Sequence, residues 1–122
     1  MPSLQSLRER QRQQRLAALR RGLEPLLRSR VGSGVWLFGS LARGDWDAFS
    51  DVDLLAVAPD LHQARALADD LLAAGLADDV LALSEERWRQ LCGSDDPYWR
   101  SIAVEAILLG CHGLASNVIE AP

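Results

Sequence analysis

WLFGSLARGDWDAFSDVDLLAV, residues 36–57, sets two apolar runs around a Gly-Ser pair and a pair of acids. The first run, Val35 to Phe38, reads as a short buried strand ending at Gly39-Ser40. Ser40 to Arg43 reads as a short helix start, Gly44 to Ser50 as a polar loop, and Asp51 to Ala58 as a second strand stopped by Pro59. A buried strand ordinarily avoids charge, yet this one opens with two carboxylates.

Upstream, Leu16, Leu19, Leu23, Leu26 and Leu27 make one apolar stripe at helical spacing. Gly22 and Pro25 interrupt it, which predicts a kink or two consecutive helices. Before Leu16 the stripe thins to Gln11 and Gln14, so the first turns are expected to be solvated or to project. Downstream, Leu61 to Ala74 predicts a helix closed by Gly75, and Val80 to Leu83 a third strand. Ser84 is a good N-cap for a helix opening with Glu85-Glu86, and Tyr98 to Gly110 reads as a final apolar helix. The order implies an α/β (α+β) domain, a small mixed sheet of about three strands with helices packed against it.

The 122 residues suffice for one domain with a real core and leave no room for a second that could grip a large substrate. Hydrophobic residues at 48% and charged residues at 25% argue against disorder. No apolar run is long enough to span a bilayer, and the arginine-rich N-terminus lacks the apolar core of a signal peptide, so the expected compartment is the cytoplasm and no membrane partner is expected. Cys92 and Cys111 then read as reduced thiols. Cys111 and His112 are neighbours, but adjacent residues diverge on a helix, and His62 has no partner at ligand spacing, so a zinc site is not expected. The formal charge of −4 is distributed unevenly: residues 1–30 hold eight arginines against Glu9 and Glu24, a surplus of six, which leaves −10 for the rest.

A strand that ends in Gly39-Ser40 and turns straight into a helix aims backbone N–H groups at one point, which suits phosphate. Glycine lets the backbone come close, and the serine hydroxyl adds a donor. Residues two apart on a strand share a face, so Asp51 and Asp53 converge on one volume. Burying two like charges unpaired costs several kcal/mol or forces one to take a proton. A divalent cation resolves this, and magnesium favours one or two carboxylates plus substrate phosphates. Asp51 alone would pass for a solvated strand-end acid; Arg43 alone would pass for a surface cation. A Walker-type phosphate loop is excluded, because the chain contains no lysine.

Gly39-Ser40, ten residues, then Asp51-Val52-Asp53, with Leu37-Phe38 before and Ala42-Arg43-Gly44 and Ser50 between, resembles the nucleotidyltransferases of the DNA polymerase β type. Within that superfamily it is most similar to the minimal nucleotidyltransferases, antitoxins paired with HEPN-domain toxins. The resemblance implies a polymerase β-like nucleotidyltransferase fold and a division into an arginine-rich helical segment at 1–30, a nucleotidyltransferase core at 31–116 and a tail at 117–122. It implies that Asp51 and Asp53 hold two magnesium ions, that Gly39 and Ser40 hold the departing phosphates, and that Arg43 contacts the nucleotide or the loop carrying the acids.

Transferring members carry a further metal-binding and catalytic acid on a neighbouring strand. Asp79 falls at that place if Leu83 ends the strand; counted back from Ser84 and Glu86, the place belongs to Leu81. The two registers differ by about 6.6 Å, more than a coordination bond absorbs. Asp78 points to the opposite face from Asp79 and reads as a solvated acid. The function implied is transfer of a nucleoside monophosphate, AMP from ATP, to a hydroxyl of a partner protein, a HEPN-type toxin. The rival is a degenerate binding module that neutralises its partner by contact, using the arginine-rich helix. Arginine at that density also attracts nucleic acid, although a solvated helix face is the plainer reading. Trp46, Trp88, Tyr98 and Trp99 read as core or edge packing.

Overall fold

Alternation along two strands organises the molecule. In the computed structural model, which describes residues 3–44 and 51–114, Val35 and Leu37 of β1 (Ser33–Phe38) point to one side of the sheet, and Trp36 and Phe38 to the other. Strand β2 (Asp53–Ala58) divides in the same way, with Leu54 and Ala56 on the first side and Leu55 and Val57 on the second. Trp46, Ser50 and the loop expected to carry them lie outside the described residues.

On the first side pack α1 (Leu4–Leu27) and α3 (Leu61–Ala73), through Leu16, Leu19, Leu23 and Leu27 and through Leu67 and Leu71. Arg30, just past α1, forms an ion pair with Asp70 of α3. On the second side α4 (Glu85–Cys92) and α5 (Pro97–Glu105) bury Trp88 and Ile102 against Trp36, Leu55 and Val57. The result is a mixed α+β sandwich of three layers. A one-turn helix, α2 (Ser40–Arg43), follows β1, and β3 (Asp79–Ser84) follows α3.

The sheet order is β3-β2-β1-β4, where β4 spans Ile107–His112. β2 runs antiparallel to β1 and parallel to β3, so α3 is the crossover that a parallel pair requires. Ser84 caps α4 as its sequence predicts, its side chain accepting from the Arg87 N–H.

Two expectations need correction. The final apolar stretch is not one helix to Gly110: α5 stops at Glu105, Ala106 turns extended, and residues 107–112 pair antiparallel with β1, giving four strands rather than three. Both the helix and the strand would bury these apolar residues, but only the strand also satisfies the open hydrogen-bonding edge of β1. Gly110 marks the choice, since a Cβ there would lie 2.7 Å from a Leu23 methyl of α1.

Nor do Gly22 and Pro25 divide the first helix, which runs unbroken from Leu4 to Leu27. Gly22 is there for clearance: a Cβ would meet Leu76 at 2.6 Å. Pro25 sits in the last turn, so its missing N–H and the clash of its ring with the preceding turn disturb only the end of the helix. Residues 4–11 of α1 are exposed, with Leu4 at 78%. Among the described residues no helix is long and apolar enough to cross a membrane.

Candidate nucleotide site

β1 ends at Phe38, whose register partner on β2 is Asp53. The chain then turns at Gly39 with φ +81, a conformation that a side-chain-bearing residue adopts only at a cost. Space makes the same demand, because a Cβ at Gly39 would stand 2.6 Å from Asp53 Oδ2. The carboxylate of Asp53 therefore lies directly against the Gly39-Ser40 turn. Gly44, at φ +87, closes α2 with its N–H on the Ser40 carbonyl.

β3 brings a second acid alongside. Asp79 is the direct register partner of Asp53 in the parallel pair, and Leu81 partners Leu55 one step deeper in the sheet. Adjacent strands are about 4.8 Å apart, so Asp53 and Asp79 share one face at one end of the sheet. Asp51 lies just before β2 and is exposed, whereas Val52 is buried on the opposite side among the leucines. Asp51 therefore flanks Asp53 from the loop rather than from the strand interior.

Asp78, read from sequence as a solvated acid, has a structural bond. Its Oδ2 accepts from the Val52 N–H at 2.7 Å, and its own N–H donates to the Val52 carbonyl at 2.9 Å. That double tie fixes the start of β3 to the start of β2, and with it the level of Asp79.

The electrostatics follow from this crowding. Burial raises the pKa of Asp53 above the ordinary carboxylate value, and the charges of Asp79, Asp51 and Asp78 raise it further. Among the described residues no group of three or more His, Cys, Asp or Glu side chains is gathered closely enough to hold a metal ion as it stands. The donor set nevertheless fits a hard divalent cation. It consists of carboxylate oxygens alone, the central one is half-buried among like charges, and magnesium takes one or two carboxylates and completes its shell with phosphate and water.

Arg43 sits at the C-terminal end of α2, facing α5. Its Nη1 stands 3.3 Å from Glu105 Oε2 of α5. Between α2 and α5 lies a cavity of about 350 Å³ lined by Phe38, Gly39, Arg43, Tyr98, Ile102 and Glu105. It opens beside the Gly39 turn.

Arg12 is a residue that sequence reasoning missed. From the third turn of α1 its Nε donates to the Leu41 carbonyl and its Nη2 to the Ala42 carbonyl, both at 2.9 Å, while Glu9 holds Nη1 at 3.0 Å. The guanidinium thus secures the carbonyl end of α2, the element that begins with Ser40. Only 13% of its side chain is exposed, unlike most arginines of the helix. No spacing in the sequence marks that fork, because its acceptors are main-chain atoms about 30 residues away.

A family model of the nucleotidyltransferase domain matches residues 19–97, more than half of the chain and every residue of the turn and the acid cluster. The chain belongs to the nucleotidyltransferase domain family. No curated protein matches it. A solved structure described as "Crystal structure of the toxin-antitoxin with AMP-PNP" is similar at 21% identity, covering 75% of this chain and 73% of that one, with a TM-score of 0.49. The family match to this nucleotidyltransferase domain ends at Pro97, the first residue of α5, so the rest of α5 and all of β4 lie beyond it.

Proposed function

We propose that this nucleotidyltransferase domain moves the nucleoside monophosphate of a nucleoside triphosphate, ATP in the first instance, to a hydroxyl of a partner protein. The observation that carries the reading is the contact of Asp53 with the Gly39 turn, with Asp79 at the same level on the next strand. That proximity supports reading the turn as the phosphate-binding element, Asp53 as a cation-binding carboxylate and Asp79 as the base.

In this reading the Gly39 and Ser40 main-chain N–H groups and the serine hydroxyl receive the β and γ phosphates. Asp51 and Asp53 are the carboxylates that hold magnesium, two ions in the full arrangement. When bound, the metal neutralises charge on the phosphates and around the reacting phosphorus. Asp79 orients the acceptor hydroxyl and takes its proton. The acceptor oxygen forms a bond to the α phosphorus, the bridging P–O bond between α and β breaks, and pyrophosphate leaves with the electron pair. Asp53, whose raised pKa reflects repulsion from its neighbours, gains most from a cation there. Arg43, paired with Glu105, walls the cavity beside the turn and reaches the nucleotide from that side.

The motif resemblance to minimal nucleotidyltransferases supports a HEPN-type toxin as the acceptor, with this chain as the antitoxin and the cytoplasm as its compartment. A second reading, neutralisation by contact alone, is favoured by the exposed arginines along α1, Arg8, Arg10, Arg20 and Arg21.

One experiment separates them. Labelled ATP, magnesium and the product of the adjacent reading frame are incubated with the wild-type chain and with Asp53→Ala. Label on the partner that disappears in the variant supports transfer. A partner bound and neutralised equally by both, without label, overturns it in favour of the binding module.

A further inference from the structure

The two edges of the sheet are built differently. β4 at one edge carries a register shift opposite Val35 and Trp36 and a glycine at 110, features that bend a strand away from further pairing. β3 at the other edge has none of them. It pairs with β2 without a shift from Asp79 to Ser84, holds no proline or charge between Val80 and Leu83, and is partly exposed along that whole run. Beside it, between the edge and α3, opens a groove of about 770 Å³. Such an edge is a template for another strand.

The outer row of α3 along this groove identifies the strand it suits. In order it reads Leu61, Arg65, Asp69, Leu72: apolar, positive, negative, apolar. All four are exposed, with Leu61 at 41% and Leu72 at 43%. Read backwards and with the signs exchanged, the row is the same. A two-fold axis turns each helix end for end, so it sets Arg65 against Asp69 of a second copy and Leu61 against Leu72.

The strand obeys the same axis. Antiparallel partners share a face, so Ala82 opposite its own copy places Leu81 opposite Leu83 on the α4 side and Val80 opposite Ser84 on the α3 side. No charge meets an apolar residue in that register, and Asp79 falls outside the paired segment.

We infer that β3 pairs antiparallel with β3 of a second copy of this chain about a two-fold axis near Ala82, giving one continuous eight-stranded sheet locked by two Arg65–Asp69 pairs. The interface is isologous, the commonest arrangement for a homodimer. The paired segment includes neither Asp53, one strand in from the joined edge, nor the Gly39 turn, two strands in. The inference stands on the edge and the α3 row, independently of the transferase reading.

Sedimentation or light scattering of the chain alone over a range of micromolar concentrations tests it. The wild type is expected at twice the chain mass. Arg65→Asp and Asp69→Arg, each placing like charges across the axis, are expected to run as monomers or to raise the dimer dissociation constant by at least about tenfold. An equimolar mixture of the two single variants is expected to recover the dimer, since each then meets its complement. The double exchange is expected to recover it too, which excludes misfolding as the cause. A wild type that stays monomeric at every concentration overturns the inference, including one that associates only when another protein is added. Single variants that remain dimeric overturn it as well, because the copies then meet elsewhere.

Discussion

The two faces of the central sheet are made from the same strands and do different work. Against α1 and α3 the sheet presents Val35, Leu37, Leu54 and Ala56, all fully buried, in a layer with no tryptophan and no acid. Against α4 and α5 it presents Trp36, Leu55, Val57 and Leu81, then at one end Asp53 and Asp79. One residue along β2 separates the two regimes, from Asp53 to Leu54. The first face secures the fold, and the second exposes strained chemistry at its rim.

The sharpest break of this contrast comes from substituting those two neighbours. Asp53→Ala is expected to lower transfer by on the order of 10³-fold or more, equivalent to about 4 kcal/mol in the barrier, with the fold intact. Thermal melts alongside rate measurements check it; transfer retained within tenfold would remove Asp53 from the site. Leu54→Ala, one position on, is expected to cost about 3 kcal/mol of stability, because a fully buried leucine leaves a cavity in a layer that relaxes little. Denaturant titration reads that loss. A Leu54→Ala variant as stable as the wild type would mean that this face is not the scaffold.

Much of this division is legible in the sequence, and the reason is local. Gly39 and Ser40 at a strand end, Asp53 in an apolar run and the Leu16-to-Leu27 stripe each announce themselves through neighbours in the chain. Gly39, Asp53 and Asp79 do come together, at the register in which Asp79 and not Leu81 stands beside Asp53. What the sequence could not disclose depends on partners far along the chain. Residues 107–112 are as apolar as the helix before them, and only the unpaired edge of β1 makes them a strand. Asp78 has the composition of a surface acid until the Val52 N–H is placed against it. Arg12 is one arginine among eight until its fork meets two carbonyls of α2.

Arg12 links the scaffold to the site, reaching from α1 to the carbonyls of α2, the short helix that follows the Gly39 turn. Arg12→Ala is expected to reduce the transfer rate by about tenfold, since a turn that loses its anchor misplaces phosphate-binding groups by a fraction of an ångström. Arg12→Lys is expected to recover little, because an ammonium cannot reproduce the planar two-donor fork. The diagnostic is a fall in kcat larger than any rise in KM, with a melting temperature within a few degrees of wild type. Loss of stability without a kinetic effect would make Arg12 part of the scaffold alone.

The smallest expected effect concerns the strain at the rim. Asp53 has a pKa raised by burial and by the charges of Asp79, Asp51 and Asp78, so between its unfolded and folded values the native state binds more protons than the unfolded one. Stability then falls as pH rises through that window, and the full penalty is present above the folded value. Below the unfolded value the carboxyl is neutral in both states and nothing is lost. Asp53→Asn removes the charge but keeps the shape, so at pH 7 without divalent metal it is expected to be the more stable protein, by about 0.5 kcal/mol or roughly 2 °C, a figure kept small because solvent reaches the group. Near pH 3 the two proteins are expected to melt together. Added magnesium is expected to raise the melting temperature of the wild type more than that of Asp53→Asn, in which the central carboxylate proposed to hold the cation is gone. An asparagine variant that is less stable at pH 7 would show that Asp53 is held by favourable contacts rather than strained by its neighbours, and the two faces of β2 would then differ in polarity but not in purpose.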